Sequence, residues 1–453
     1  MRWISIEKMT EEHEGPAKTI CIPGTDLQFD EVTLVYGAKR ITAQVKKNGI
    51  SMIKQDGEID NGITYLSKAL IEELCLVTTQ PYQLKITEST IELGPVIGLL
   101  LGEQQYYYHH NTMQEYTDAM VRAEEFGGLV VAFKLCSIDW RSESVYGLYF
   151  DVKQKKWRYG KCPIPSVIYR RAFNHEDKDV ELLKKTVGST LFNDRKLDKL
   201  QMYQRLQGFP SFKRYLPETA KLTIDVFHRF LDRYDKIILK PADLSRGRGI
   251  CVLQQDGDKL SIVDSLAEAI PIRIKLSREK AVDYISERGY LTKNYLVQPF
   301  LAFSKINGSP WDIRIIMQKN DNLRWQCNGI ECRLAGANSY LTNISRGGRA
   351  LTINQAIKLT YGPQTNVKLI KKQIISVATE FCTVMDDGDG HFAEFGLDFA
   401  LDEQQNIWFI EANVRPTFNG FKRLEYKNYL HISSAPLFYA VKLSGFKRSK
   451  KHE

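Results

Sequence analysis

The first 92 residues alternate apolar and polar positions over short stretches, a period that predicts β-strands. Strands are predicted at Val32–Tyr36, Ile41–Lys46 and Ile50–Ile53, and one helix is predicted at Ser67–Leu76, beginning at a serine cap. No group of reactive side chains stands out in this part of the chain. We therefore predict a small, mostly-β domain over residues 1–92 with a structural or partner-binding role.

From Gly94 the pattern changes to an alternation of apolar strands and helical stretches. This alternation is typical of a sheet with helices on its faces, so we predict an α/β domain over residues 93–192. A third region, residues 193–446, holds hairpins whose apolar strands carry polar residues, and a basic tail of residues 447–453 follows. The elements predicted in the α/β domain are a strand at Pro95–Leu101, a helix at Gln114–Phe126, a strand at Leu129–Phe133, a hairpin at Val145–Arg158 and a strand at Val167–Tyr169.

Composition narrows the class of protein. Of 453 residues, 43% are hydrophobic and 26% are charged, which is ordinary for a globular protein and excludes a disordered, collagen-like or coiled-coil chain. No apolar run reaches the roughly 18 residues that span a bilayer. The first residues carry charges where a signal peptide needs an apolar segment, so we expect synthesis in the cytoplasm.

Charge and cysteine usage add two smaller expectations. The 63 basic and 54 acidic side chains leave a net charge of +9, part of it in the tail, which we expect to be a solvated end or a contact for an acidic partner. The eight cysteines are scattered, and none has the paired spacing of a zinc site. We expect reduced thiols in the core rather than metal ligands or disulfides.

A glycine-rich loop follows a strand that ends in Lys240. The loop reads Ser245-Arg246-Gly247-Arg248-Gly249, and a second strand comes after it. Backbone N–H groups of such a loop can bind a phosphate, and the lysine adds a positive charge. No Walker motif is present. The alternatives are a hairpin with a basic tip and an RGG-like nucleic-acid segment, because Arg346-Gly347-Gly348-Arg349 has a similar composition.

Two further strands carry polar residues inside apolar runs. The strand Tyr295–Leu301 contains Gln298, whose amide and backbone groups could contact an adenine edge or serve the structure alone. In the strand Trp311–Met317, Asp312 and Arg314 share a face because alternate residues of a strand point the same way. A carboxylate beside the guanidinium would fix its fork for bidentate contact with a phosphate. The alternative is a plain structural ion pair.

The last predicted hairpin brings three oxygen-bearing side chains together. Its strands are Glu394–Leu401 and Ile407–Val414. Glu411 and Asn413 share one face, and we expect Asp398 nearly opposite them. Two carboxylates and an amide oxygen suit Mg²⁺, whereas buried like charges without a cation repel each other. The alternative is a carboxylate pair that shares a proton or faces solvent.

The lysine strand, glycine loop, D-x-R strand and D…E-x-N hairpin, in this order, resemble the ATP-grasp superfamily over about residues 193–446. More narrowly, Gly94-Pro95-Val96-Ile97-Gly98 and Glu411-Ala412-Asn413-Val414-Arg415-Pro416 resemble the YheC/YheD family of endospore coat-associated proteins. The extra N-terminal region is similar to the longer YheD type. The resemblance implies an α/β fold, in detail an α+β ATP-grasp domain with a lid at about residues 221–296, after an α/β domain and the small mostly-β domain.

The resemblance also implies ATP and Mg²⁺ as cofactors and a role for each candidate residue. Two positions differ from the common pattern of the superfamily: Gln298 stands where an acidic adenine contact is frequent, and Thr417 follows Pro416 where ligases often have glycine. The implied roles are contact with the ATP phosphates and adenine for Lys199 and Lys240, a closing loop for Gly247, Arg248 and Gly249, the adenine slot for Gln298 and Phe300, catalysis at the γ-phosphate for Arg314, and Mg²⁺ binding for Asp398, Glu411 and Asn413.

The activity implied by this resemblance is ATP-dependent carboxylate–amine ligation through an acyl phosphate, with small-molecule or peptide carboxylates and amines as substrates. One alternative is a non-catalytic ATP-binding protein that contacts spore coat proteins through residues 1–92. Another is phosphoryl transfer to a hydroxyl. We expect no membrane partner, since no apolar run is long enough to span a bilayer. We also expect no nucleic acid partner, because aromatic residues are not interleaved with the basic ones. The expected location is the cytoplasm or the endospore coat.

Overall fold

The computed structural model describes residues 2–9, 18–23, 25, 27–46, 62–173, 177–242, 249–265, 271–336, 348–388 and 390–449. These residues form a closed barrel and three open sheets, with helices packed around them. The barrel and the sheets follow one another along the chain without exchanging strands. Each can therefore be described by its own segment.

The first segment forms a seven-stranded barrel. Its strands are β1 (Arg2–Lys8), β2 (Thr19–Cys21), β3 (Glu31–Tyr36), β4 (Lys39–Val45), β5 (Ile63–Leu66), β6 (Tyr82–Thr87) and β7 (Thr90–Gly94). They are hydrogen-bonded in the order β1-β5-β2-β4-β3-β7-β6, and β6 closes on β1. The predicted helix is present as α1 (Lys68–Leu74), whose first turn is capped by the hydroxyl of Ser67. The predicted strand at Ile50–Ile53 lies outside the described residues.

The second segment forms a six-stranded sheet in the order β11-β10-β9-β8-β12-β13, made of β8 (Val96–Leu100), β9 (Leu129–Asp139), β10 (Ser144–Asp151), β11 (Lys156–Pro163), β12 (Val167–Arg170) and β13 (Leu191–Phe192). Strand β8 runs parallel to both β9 and β12. Its helices are α2 (His110–Ala119) and α3 (Asp177–Val187), with 3-10 turns at Gln105–Tyr108, Met120–Glu125 and Gly188–Thr190. The predicted strands and hairpin are confirmed. The single predicted helix is instead α2 followed by a 3-10 turn, because the backbone leaves helical geometry at Arg122.

The barrel and the second sheet share one hydrophobic core. Leu34 and Leu84 of the barrel belong to the same buried cluster as Leu100, Phe133 and Ile164 of the second segment. Apolar surface on each segment is thus removed from water by the other. The two segments predicted as separate domains pack here as one unit.

The third segment begins with α4 (Lys199–Gln207) and α5 (Pro210–Lys213) and continues into an antiparallel sheet. The sheet has the order β14-β19-β15-β16-β17-β18, from β14 (Ala220–Lys221), β15 (Lys236–Pro241), β16 (Cys251–Asp256), β17 (Lys259–Asp264), β18 (Ile272–Ser277) and β19 (Tyr295–Pro299). Helices α6 (Ile224–Arg233) and α7 (Arg278–Glu287) cover one face, where Phe227, Phe230 and Tyr290 are buried with Leu239. The opposite face is left to line a cleft.

The fourth segment forms the sheet β23-β22-β21-β24-β25, with the short β20 paired to β21. Its strands are β20 (Lys305–Ile306), β21 (Ser309–Lys319), β22 (Trp325–Leu334), β23 (Arg349–Leu351), β24 (Glu394–Leu401) and β25 (Ile407–Asn413). Helix α9 buries Ile374 and Phe381 against Phe395 and Phe409 on one face. The helices of this segment are α8 (Ile353–Tyr361), α9 (Val367–Asp386), α10 (Asn419–Leu424) and α11 (Tyr426–Leu443).

The beginning of the basic tail is bound to the protein. Arg448 pairs with Glu125, and the backbone N–H of Ser449 donates to the Glu125 carbonyl at 2.7 Å. The side chain of Gln83 donates to the Lys447 carbonyl at 2.6 Å. Residues 447–449 are therefore held by polar groups of the barrel and the second segment and do not form a free end, although the Lys447 side chain is exposed to solvent as expected; residues 450–453 lie outside the described part of the chain.

The structure also shows where the cysteines lie and whether any described helix could cross a membrane. All eight cysteines are free thiols in the structure. Five are buried, but Cys136 is exposed and Cys75 and Cys327 are partly exposed, so the core location holds for most of them only. Within the described ranges, no helix has the length and apolar character required to cross a membrane.

Candidate active site

A cleft of about 2020 Å³ lies between the sheet of the third segment and the sheet of the fourth segment, with the second segment at one edge. Strands β15 and β19 form one wall, while β21, β22, β24 and β25 form the other. Gly249 is buried but does not line the cleft, and Gly247 and Arg248 lie outside the described residues. The predicted site residues that line the cleft are Lys199, Lys240, Gln298, Phe300, Arg314, Asp398, Glu411 and Asn413.

Two lysines reach the cleft from neighbouring elements. Strand β15 alternates so that Ile237 and Leu239 enter the core and Lys240 turns toward the cleft. Lys199 is the first residue of α4, and its Nζ lies 3.5 Å from the carbonyl of Pro241. Burial, followed by the charge of Lys199, lowers the pKa of Lys240 to about 8, against the opposing effect of Glu411. An anion bound here would favour the protonated form of Lys240 and would then be attracted by two positive charges, those of Lys199 and Lys240.

The predicted adenine slot is built at the end of β19. Gln298 is buried, and its Nε2 donates to the hydroxyl of Thr219 at 2.8 Å. The Phe300 ring lies under the ammonium group of Lys236, with 4.2 Å between Nζ and the ring centroid. An amide beside an aromatic ring is a suitable combination for a planar heterocycle with a polar edge. The role of both residues stays a prediction.

The floor of the cleft is a buried network of arginines and carboxylates. Arg314 binds Asp398 with one edge of its guanidinium: Nε donates to Oδ1, and Nη2 donates to Oδ2 at 2.8 Å. Arg333 binds Asp312 through two contacts of 2.6 Å and reaches Asp398 at 2.9 Å. Asp312 and Arg314 do share a face of β21, as predicted, since both line the cleft.

The predicted pairing of Asp312 with Arg314 is wrong. In the sheet register Asp312 stands opposite Arg333, and Arg314 stands opposite Asp398. Directly opposite residues have Cβ atoms roughly 5 Å apart, whereas alternate residues of one strand are separated by roughly 6.5 Å. The cross-strand partner is therefore the nearer one, and each arginine pairs across the sheet.

Two members of this network, Glu331 and Arg333, were missed by the sequence reasoning. Both lie on β22, and Ile330-Glu331-Cys332-Arg333 alternates apolar and charged residues in the same way as β21. That alternation was a usable signal. Glu331 is 2% exposed, and no described residue hydrogen-bonds its Oε2. A Cβ at position 420 would lie 1.8 Å from this oxygen, so Gly420 is required for the approach of α10.

The carboxylates of the floor have different protonation behaviour. Burial alone would raise the pKa of Asp398, but Arg314 and Arg333 lower it to about 2, so Asp398 is ionised. Burial dominates at Glu331 and raises its pKa to about 7, because the same two arginines only partly offset the cost of a buried charge. The floor thus combines an ionised carboxylate, Asp398, with a carboxyl group, Glu331, that titrates near neutral pH.

The last hairpin has the predicted form. Asp398 stands opposite Glu411 and Gly396 opposite Asn413 in the register of β24 and β25, with a bulge after Asp398. Glu411 accepts a hydrogen bond from Asn413 at 3.2 Å, and its other oxygen lies 3.5 Å from Lys199 Nζ. The apolar residues of β24 enter the core, whereas Asp398 lines the cleft.

These three side chains fit Mg²⁺ unequally. Glu411 and Asn413 present oxygens on a partly open wall of the cleft, as a hard cation requires. Both oxygens of Asp398 already accept from guanidinium groups, so this residue is less available to a cation than Glu411 or Asn413. Among the described residues no group of three or more His, Cys, Asp or Glu could hold a metal, which leaves the mixed carboxylate–amide set as the candidate.

The strand order and the charged cleft describe a mixed α/β protein with a candidate binding site, and sequence comparison specifies its family. A model of the YheC/D like ATP-grasp family matches residues 188–443, more than half of the chain. The chain therefore belongs to this family. The second-segment residues at the edge of the cleft lie before the matched region.

Two relatives from Bacillus subtilis (strain 168) are similar over most of the chain. Endospore coat-associated protein YheD is 25% identical over 383 residues, covering 82% of this chain and 82% of the relative. Endospore coat-associated protein YheC is 25% identical over 324 residues, covering 70% of this chain and 88% of the relative. Among solved structures, the D-alanine-D-alanine ligase from Coxiella burnetii is 12% identical, with a TM-score of 0.44 over 77% of this chain and 95% of that one.

Proposed function

We propose that this protein is an ATP-dependent carboxylate–amine ligase. The γ-phosphoryl group of ATP would pass to a carboxylate oxygen, giving ADP and an acyl phosphate. An amine would then attack the acyl carbon and expel phosphate, forming an amide. The observation that supports this proposal is the convergence of two lysines, two arginines and the Asp398, Glu411 and Asn413 set on one cleft.

The roles of the residues follow from charge and position. Lys199 and Lys240 would bind the phosphates from the wall formed by α4 and β15, and Gln298 and Phe300 would hold the base. Glu411 and Asn413, joined by Asp398, would hold Mg²⁺, which supplies neutralisation of phosphate charge when bound. The chain then contributes positioning and electrostatic stabilisation, which phosphoryl transfer requires most.

Arg314 would stabilise the transferring group. Its planar fork suits the oxygens of a phosphoryl group, but it is held by Asp398 in this arrangement. Contact with the phosphoryl group would exchange one anionic partner for another. Arg333, which already binds Asp312 and Asp398, would keep the Asp398 carboxylate neutralised during that exchange.

The proposal is tested by trapping the acyl phosphate. Full-length protein is incubated with ATP, Mg²⁺, pooled carboxylic acids and hydroxylamine, which replaces the amine and yields a stable hydroxamate. We expect ADP and hydroxamate in equal amounts, dependent on the acid and lost in Glu411→Ala but not in the matched Glu403→Ala on the exposed turn of the same hairpin. Bound ATP with no ADP above the acid-free control would contradict the ligase proposal. ADP with a phosphorylated alcohol and no hydroxamate would indicate phosphoryl transfer to a hydroxyl.

A second candidate function is a non-catalytic ATP-binding role in the endospore coat. The names of both relatives, each matching at least 70% of the chain, favour it. Under this proposal the barrel side would contact coat proteins. A fluorescent fusion in sporulating Bacillus subtilis would then form a ring at the spore surface, and ATP would bind without acceptor-dependent ADP release. Diffuse fluorescence in the mother cell would contradict a coat location.

A further inference from the structure

One wall of the cleft carries positive charge and aromatic rings away from the lysines that face the nucleotide. Tyr106 and Tyr107 come from the 3-10 turn after β8, and Arg171 comes from the end of β12. Arg415 follows β25 two residues after Asn413, and Arg423 lies on α10. These five residues are called the arginine–tyrosine wall below.

The aromatic part of the wall is held in place by its neighbours. The rings of Tyr106 and Tyr107 lie 4.2 Å apart between centroids, and Tyr106 is 53% exposed. The guanidinium of Arg415 lies 5.2 Å from the centroid of the Tyr107 ring. Burial would raise the pKa of Tyr107, but hydrogen bonds with Tyr106 and Arg415 lower it. A Cβ at Gly102 would lie 2.1 Å from the Tyr107 ring, so the glycine permits this packing.

The charge on the wall is only partly neutralised. Arg171 binds Glu394 at 2.9 Å and Glu115 at 3.0 Å, yet its Nε is buried without a hydrogen-bond partner. Over the described ranges, Arg415 and Arg423 form no ion pair with a carboxylate, in contrast to the neighbouring Lys422, which binds Asp118 at 2.8 Å. Two guanidinium groups beside the reactive end of the cleft therefore remain for an anion from outside the protein.

The size of the cleft leaves room for such an anion in addition to a nucleotide. Pockets for small ligands have volumes up to roughly 1,000 Å³. The cleft is about twice that size, at about 2020 Å³. ATP bound between the lysines and the arginine–carboxylate floor would not fill it, and the arginine–tyrosine wall lines the remaining edge.

We infer that the substrate of the proposed ligation carries a second carboxylate besides the reacting one, and that Arg415 and Arg423 bind this second group. The substrate class is a dicarboxylate of the glutamate type, either free or as a residue of an acidic peptide. Tyr106 and Tyr107 would flank its carbon chain and exclude water from the charged contacts. This inference rests on the proposed function for the reaction, but the binding itself can be tested without turnover.

The binding test uses calorimetry with full-length protein saturated with a non-hydrolysable ATP analogue and Mg²⁺. Glutarate and a blocked acidic hexapeptide, acetyl-(Glu)6-amide, are compared with butyrate and acetyl-(Gln)6-amide. We expect a dicarboxylate to bind at least tenfold more tightly than its uncharged or monocarboxylate match, as the loss of a charge-assisted contact implies. Preference for glutarate indicates a free acid, and preference for the acidic hexapeptide indicates a peptide residue.

Variants assign the selectivity to the wall. Arg415→Met and Arg423→Met keep an unbranched stem and lose the charge, and we expect each to reduce dicarboxylate affinity about tenfold while ATP affinity is unchanged. Arg324→Met, on the exposed turn between β21 and β22, is the matched control and should bind like the wild type. Arg423 is exposed, so we expect Arg423→Met to fold like the wild type. Thermal unfolding tests whether Arg415→Met also folds.

The outcomes separate this inference from the proposed function. Dicarboxylate binding that depends on Arg415 but yields no ADP with ATP would contradict the ligase and keep the inferred site. Hydroxamate formed from monocarboxylates as readily as from dicarboxylates would keep the ligase and overturn the inference. Equal loss of ATP and dicarboxylate affinity in Arg415→Met would also overturn it, since Arg415 would then belong to the nucleotide site.

Discussion

Arg314 on β21 and Asp398 on β24 hold each other across two neighbouring strands, with Nε and Nη2 of the arginine donating to the two carboxylate oxygens. The sheet register places them opposite each other, and both are at least 90% buried. Arg314 is proposed to contact the γ-phosphoryl group, and Asp398 is proposed to bind Mg²⁺. In this arrangement the two side chains are bound to each other. Under the proposed function, contact between Arg314 and the phosphoryl group would replace this pair and couple the two proposed sites.

This relationship makes Arg314→Lys a test of geometry. Lysine keeps the charge but cannot form the fork, so we expect kcat to fall on the order of 10²-fold, as when one preorganised donor is removed. ATP affinity should change much less, because Arg314 acts on charge that redistributes in the transition state. Acceptor-dependent ADP release gives kcat, and calorimetry gives the affinity. Equal losses in both would make Arg314 a ground-state anchor.

The sequence predicted which polar side chains share a strand face better than it predicted the contacts among them. Strand alternation placed Asp312 and Arg314 on one face, because a period of two follows from backbone geometry alone, and both line the cleft. The hairpin of β24 and β25 was recognisable because its strands are adjacent in the chain, so Asp398 was expected opposite Glu411, as the register has it.

The sequence did not predict which residues pair when the two strands lie far apart in the chain. Arg314 meets Asp398 through the register of β21 and β24, two strands that lie far apart in the chain. The shared core of the barrel and the second sheet, and the binding of Arg448 by Glu125, depend on packing between segments far apart in the chain. Such contacts follow from the tertiary fold, and local pattern does not determine them.

Glu411→Ala should abolish the Mg²⁺-dependent part of ATP binding. Glu411 presents a carboxylate to the cleft beside Asn413, and its loss removes a hard oxygen ligand and leaves phosphate charge less neutralised. Titrating ATP with and without Mg²⁺ by calorimetry measures the difference. The matched variant Glu403→Ala, on the exposed turn of the same hairpin, should behave like the wild type. Unchanged Mg·ATP affinity in Glu411→Ala would refute the metal assignment.

ATP affinity should weaken above about pH 8. The pKa of Lys240 is lowered to about 8 by burial and by Lys199, from an ordinary 10.5, so the free protein loses this charge as the pH rises through 8. Bound phosphates favour the charged form, so binding above pH 8 requires proton uptake and weakens by up to about tenfold per pH unit. Lys240→Arg stays charged and should show a flat profile between pH 7 and 9.5. A flat wild-type profile would exclude Lys240 from the phosphate site.

Glu331→Gln should stabilise the fold at alkaline pH. The folded-state pKa of Glu331 is raised from 4.5 to about 7, so its favourable contribution is complete below pH 4.5 and lost as the pH rises through 7. The difference corresponds to about 3 kcal/mol at about 1.4 kcal/mol per pH unit. Glutamine keeps the shape without the charge. Urea unfolding should give nearly equal stabilities at pH 5 and a more stable variant at pH 8; a difference independent of pH would contradict the burial of an ionisable Glu331.

Removing residues 1–92 should destabilise the rest of the chain rather than release an independent module. The barrel covers Leu100, Phe133 and Ile164 of the second segment, and its Gln83 donates to the carbonyls of Phe126 and Lys447 at 2.8 and 2.6 Å. Gln83→Ala in the full chain leaves these carbonyls unsatisfied and should cost about 1–3 kcal/mol. It should leave ATP affinity unchanged, because Gln83 does not line the cleft. Thermal unfolding measures the stability of the truncated chain and of the Gln83→Ala variant, and calorimetry measures the ATP affinity of the variant. A truncated chain as stable and soluble as the full one would show that the shared core is dispensable.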